Sequence, residues 1–213
     1  MSLVQALGGE YLVVHFPFLA DTTQPISQVQ DLIFVSLDEL ACITADTGTR
    51  ILLEPKVGFH GTNAGEVQVN PGGIYYLSQL GAATIQDLAT AAGEEVSICC
   101  DVGDFFLAAQ LMDTTIDALL EPLSFWIRSL HLHHVQLDEL GRHIWTPIHP
   151  SPDDATISKS LVDLIPTLIR DLDLDYLVFE HTPHLARDDA HIRTGFHWIK
   201  HLLERCPDVL RQS

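Results

Sequence analysis

The sequence predicts an α/β fold of βα units around a parallel sheet, on two observations. Short apolar runs alternate with longer segments of helical period along the 213 residues. Four of the five runs are apolar at nearly every position, which suits strands covered on both faces. With 46% hydrophobic residues the chain can fill one substantial core, and residues 1–213 read as a single domain.

The predicted strands, in order, are Tyr11 to Phe16 (YLVVHF), Arg50 to Glu54 (RILLE), Val96 to Asp101 (VSICCD), Trp126 to His131 (WIRSLH) and Tyr176 to Glu180 (YLVFE). Between them, Ile26 to Asp46 reads as a helix ended near Gly48, and Gly73 to Leu80 as a shorter one. Thr84 to Ala92 opens on a capping-box pattern, Thr84 with Asp87, and closes before Gly93. Further helices are expected over Thr114 to Leu120, Ser158 to Leu172 and Ile192 to Arg205. The Gly-, Asn- and Pro-rich segment Pro55 to Gly72 follows a strand directly and reads as a loop over the ligand face. Asp138 to Asp154 reads as a second irregular stretch.

Charge narrows the function classes. Eleven Lys+Arg against 29 Asp+Glu give a formal net charge of -18. Such a surface repels phosphate backbones and anionic headgroups, so nucleic acid and membranes are poor partners. The four cysteines (Cys42, Cys99, Cys100, Cys206) match neither a zinc knuckle nor a secreted disulfide framework and read as buried thiols in a reducing compartment. The opening MSLVQALGGEYLVV lacks a basic leader region, and no apolar run reaches membrane-spanning length. The expectation is a soluble cytoplasmic protein. Twelve histidines cluster in the second half. His197 and His201 have an i,i+4 spacing that can bind zinc, but without a third ligand nearby they read as surface residues.

The informative pattern lies at the strand ends. Four apolar strands each finish on an ionisable residue: Glu54, Asp101, His131 and Glu180. Parallel strands open their C-terminal ends on one face, so these side chains converge. Two Glu, one Asp and one His suit Mn²⁺, Mg²⁺, Co²⁺ or Zn²⁺. Three converging carboxylates without a cation repel one another.

The order of these segments resembles the xylose isomerase-like superfamily of TIM-type barrels, which holds sugar isomerases and epimerases and an AP-endonuclease branch. ILLEP looks like the family's fourth-strand segment with Glu54 as a ligand, and ICCDVGDFFLA like its fifth, with Asp101 on the metal and Asp104 where His is usual. SLHLHHVQ is similar to the sixth-strand His-Leu-x-Asp-Val motif, giving His131 as a ligand with His134 in place of Asp. GRHIWTPIHPS resembles the His-x-x-Pro-x-Gly-x-Gly loop, keeping His143 but neither glycine, and YLVFEHTP looks like the eighth strand, ending on Glu180.

By this resemblance the chain carries about strands three to eight, and the first two βα units of an eight-fold barrel are not seen. A homo-oligomer covering the open edge is one expectation. The resemblance implies a divalent-metal-dependent isomerase or epimerase acting on a small sugar or related polyhydroxy carbonyl compound, with Glu54 and Glu180 as the acid/base pair. His15, Lys56, Asp104, His134 and His143 are the expected substrate-side residues. Alternatives are a catalytically degenerate barrel that binds a metabolite or protein, a metal-dependent AP-endonuclease-type phosphodiesterase, which the charge disfavours, and a dehydratase or lyase.

Overall fold

A computed structural model describes residues 8–16, 25–61, 67–80, 96–141, 143–146, 148, 159–180 and 188–204. In chain order the elements are β1 (Tyr11–His15), α1 (Ile26–Thr47), β2 (Arg50–Glu54), β3 (Gly58–Gly61), β4 (Val67–Asn70) and a helix, α2, over residues 72–80. They continue with β5 (Val96–Asp101), α3 (Val102–Leu111), α4 (Ile116–Leu120), a 3₁₀ turn (Glu121–Trp126), β6 (Ile127–Leu132), β7 (His134–Leu137) and β8 (His143–Thr146). The last are α5 (Lys159–Asp171), β9 (Tyr176–Phe179) and α6 (Asp189–Glu204).

Five strands form one sheet in the order β1-β2-β5-β6-β9, every neighbouring pair parallel. The sheet curls as a half-barrel, and the side chains of its two edge strands meet at their N-terminal ends. There the rings of Tyr11 and Tyr176 lie 4.1 Å apart, and beside them Arg50 pairs with Asp175 at 2.9 Å.

Helix packing follows sequence period. In α1 the residues Val29, Ile33 and Leu37 recur every fourth position and are buried, while Leu32 and Val35 face outward. On α5 the same logic buries Leu161, Ile165, Leu168 and Ile169. Residues Ile98 and Cys100 of β5 join the apolar layer under the helices, which leaves Cys99 and Asp101 on the opposite face of the strand.

Cys42, expected as a buried thiol, is exposed on α1, while Cys99 and Cys100 are buried, and three expectations of secondary structure need correcting. The first is α3, a ten-residue helix where none was expected. Its sequence VGDFFLAAQL has little amphipathic period because most of it is buried, so the usual helical signal is absent. The second is the segment 55–72, which is not all loop: β3 and β4 pair antiparallel, Gly58 opposite Asn70 and Gly61 opposite Val67. The third is the stretch 138–154, where β8 folds back on β7 with His143 opposite Leu137. Strand and helix ends elsewhere shift by a few residues, Trp126 lying in the 3₁₀ turn ahead of β6. The helix expected over Thr84 to Ala92 lies outside the described residues.

Candidate metal centre

Register brings the strand ends level. His15 is the partner of Glu54 across β1 and β2, and Asp101 that of His131 across β5 and β6. Glu180 follows β9 directly, and its N–H donates to the carbonyl of Leu132 at 3.1 Å, carrying the ladder one residue further. The four residues expected as ligands therefore sit on one rim.

They meet around His131. Its Nδ1 lies 3.0 Å from Glu54 Oε1 and 3.0 Å from Glu180 Oε1. Neither contact has the direction of a hydrogen bond, and the buried Nδ1 has no hydrogen-bond partner among the described residues. The buried Glu180 Oε2 is in the same position. Donor atoms held about 3.0 Å apart match neighbouring ligands around a cation with bonds of about 2.1 Å.

Asp101 is engaged differently. Its Oδ1 accepts the Asp104 N–H at 3.1 Å, capping α3, and stands 3.0 Å from His133 Nδ1. Its Oδ2 takes the ammonium of Lys56, which also lies 3.1 Å from Asp104 Oδ2 and 3.5 Å from Glu54 Oε1. His133 Nδ1 is also 3.3 Å from Glu180 Oε2, and His15 Nε2 is 3.3 Å from Glu54 Oε2. His15 is exposed and so borders the solvent side of the cluster.

Electrostatics follow from this crowding. Burial alone would lower the pKa of His131, but Cys99, Glu180 and Glu54 overcome it and push it up to about 12. For Glu180, burial opposes ionisation and the His131 imidazolium outweighs it, holding the carboxyl below its ordinary range. Asp101 is likewise held low against complete burial, by His133 and Lys56. Lys56 is raised although burial opposes it, because Asp101, Asp104 and Glu54 surround its ammonium. Burial pushes the Cys99 thiol up.

Among the described residues, two groups of three buried residues could each hold an ion: Glu54, Cys99 and His131, and Asp101, Asp104 and His133. Within each group the ligand atoms lie within 4.8 Å of one another. The donor set fits a divalent cation on charge as well: among the described residues Glu54, Asp101, Asp104 and Glu180 share one lysine, Lys56, with His131 and His133 as the other groups of the cluster able to carry positive charge.

Of the expected substrate-side residues, His15, Lys56 and Asp104 join the cluster. His134 does not: it is buried in β7 with its ring 6.4 Å from that of Phe106. His143 opens β8, and its side chain lies outside the described set. Sequence reasoning missed His133 and Cys99. The signal for both was strand alternation, since His133 is two residues past His131 and Cys99 two before Asp101.

No protein-family model matches the chain, and no curated protein matches it. Solved structures do. A xylose isomerase domain protein from Planctomyces limnophilus matches with a TM-score of 0.62 at 14% identity over 96% of this chain and 64% of that one. A D-tagatose 3-epimerase-like protein matches at 0.59 and 15% identity over 97% of this chain and 67% of that one. The IOLI protein, solved with a binding zinc atom, matches at 0.62 and 15% identity over 95% of this chain and 66% of that one. The chain thus spans about two thirds of the length of the structures it matches. No helix among the described residues is long and apolar enough to cross a membrane. Its curled parallel sheet with helices packed on it shares its fold with these solved structures.

Proposed function

We propose that the chain is a divalent-metal-dependent isomerase or epimerase of a small sugar or related polyhydroxy carbonyl compound. The observation that carries this reading is the meeting of Glu54 Oε1, Glu180 Oε1 and His131 Nδ1 at 3.0 Å without hydrogen-bond direction, at the C-terminal rim of the sheet. Likeness of fold to a D-tagatose 3-epimerase-like protein supports the general class of reaction. The proposed ligands are Glu54, Asp101, His131 and Glu180, with Asp101 the one most engaged by the chain's own donors.

A bound divalent cation supplies Lewis acidity, polarising a carbonyl and hydroxyl pair. Every other task falls to side chains. Glu54 and Glu180 both border His131, and a carboxylate pair so placed removes a proton from a substrate carbon and returns one to it. His15, on the solvent side of Glu54, is placed to bind a substrate oxygen. His133 is buried between Asp101 and Glu180, its Nδ1 3.0 Å and 3.3 Å from their oxygens, and closes the inner side of the cluster.

The test begins with metal content by mass spectrometry on protein purified without chelator or affinity tag, comparing wild type with Glu54→Ala/Glu180→Ala. About one Mn, Co, Zn or Mg per chain, absent from the double mutant, is the expected result. Ketoses incubated with the loaded protein in deuterium oxide should then gain deuterium at carbon next to the carbonyl. Failure to take up any of these ions on titration would overturn the reading. Metal uptake with no exchange in any ketose or aldose tried would leave a binding protein on a barrel scaffold.

A further inference from the structure

The two groups of ligand residues lie side by side, yet they are not in the same condition. The first, around His131, meets the Lys56 ammonium only at its margin, through Glu54 Oε1 at 3.5 Å. The second, Asp101, Asp104 and His133, already holds a positive charge: the Lys56 ammonium touches Asp101 Oδ2, lies 3.1 Å from Asp104 Oδ2, and reaches Glu54 Oε1 at 3.5 Å. We propose that Lys56 is a built-in cation filling the second cation position of this site, so that the chain takes one divalent ion and not two. This rests on the metal-site reading above.

The ammonium is not there by chance of a flexible side chain. Lys56 is only two residues past Glu54, and its backbone is fixed from both sides. The Lys56 carbonyl accepts the N–H of Gly73 at 3.0 Å, and the next residue, Val57, donates its N–H to Asp104 Oδ2 at 3.4 Å. Gly72, at φ +47, packs so closely that a β-carbon there would stand 2.7 Å from the Lys56 carbonyl and 2.3 Å from the Gly58 nitrogen. The stem is therefore delivered into the carboxylates by a clamped turn, and the side chain is only 15% exposed.

Charge accounts for the arrangement. Asp101, Asp104 and Glu54 are buried within reach of one another, and buried carboxylates without a counter-charge are costly. An ammonium tethered to the chain neutralises part of that charge at all times, whereas a second free ion would do so only when supplied. It also denies the ion held at His131 full use of Asp101, whose two oxygens go to Lys56 and to the Asp104 N–H. Specificity for a single ion is the consequence.

The experiment counts ions. Chelator-stripped protein is reloaded with excess Co²⁺, desalted and weighed by native mass spectrometry, for wild type, Lys56→Met and Lys56→Arg. Wild type and Lys56→Arg should carry about one cobalt per chain, and Lys56→Met about two. Should Lys56→Met not fold without metal, Co²⁺ should restore its circular dichroism, because the second ion replaces the lost charge. A folded Lys56→Met with one cobalt, a wild type with two, or an unfolded Lys56→Met that Co²⁺ does not rescue would each overturn the proposal. A wild type that binds none would instead sink the metal-site reading itself.

Discussion

Gly103 offers a quantitative test of how tightly the site is built into its supports. It lies in the first turn of α3, between the Asp101 cap and Asp104, and α3 packs there against His133 and Val135 at the start of β7. A β-carbon on Gly103 would stand 2.9 Å from the His133 carbonyl oxygen and 3.1 Å from both the Val135 nitrogen and its Cγ2. Two of these three atoms are backbone and cannot rotate away, so relief requires α3 to move. Overpacking of this kind costs about 2–3 kcal/mol, against a helix-propensity gain of about 1 kcal/mol for Gly→Ala. The net loss of about 1–2 kcal/mol corresponds, at about 2–4 °C per kcal/mol for a chain of this size, to a fall in Tm of about 2–8 °C. Thermal melts of metal-free Gly103→Ala by far-UV circular dichroism measure it directly. An unchanged or higher Tm would show that propensity wins and that the contact is slack, refuting the reasoning. The same shift moves Asp104 and His133, so Co²⁺ affinity should weaken alongside Tm.

Two further outcomes are expected. In metal-free protein His131 has a folded pKa above its unfolded one, so its contribution is whole below about pH 6.5 and is lost as pH rises towards 12. Asp101 and Glu180 are held low, so theirs is whole above about pH 4.5 and is lost as pH falls. Urea midpoints should therefore peak between about pH 4.5 and 6.5, and a maximum above about pH 8 would contradict the charge state assigned to His131. Thr115 caps α4 by accepting the Ala118 N–H at 3.2 Å, so Thr115→Ala should cost about 1 kcal/mol in a urea melt and leave metal content unchanged.

The strands that reach the site were legible because apolar runs such as RILLE and VSICCD break abruptly at an ionisable residue, and both strands have the bounds read from sequence. What was not legible depends on the third dimension. Burial on most sides removed the period from α3, and pairing with a partner several residues away made strands of GFHG and HIWT. His133 and Cys99 were hidden by attention to motif spacing, although alternation along a strand places each on the face of its neighbour two residues away. Lys56 read as a loop cation near substrate. Its seat among three carboxylates comes from the turn at Gly72 and Gly73, which no residue count reveals.

The contact between Tyr11 and Tyr176 has a kinetic consequence. It joins the first strand to the last, as does the Tyr176 hydroxyl with Glu10 Oε2 at 3.4 Å, and Arg50 at the start of β2 adds a pair with Asp175 beside them. Such contacts close loops of well over a hundred residues and form only after the intervening strands have aligned, so they contribute little to the folding nucleus. Substitutions at Tyr11 should accelerate unfolding while leaving the refolding rate nearly constant. The ring pair would thus act as a late-forming latch, a place where the lifetime of the folded sheet can be tuned without altering how fast it assembles.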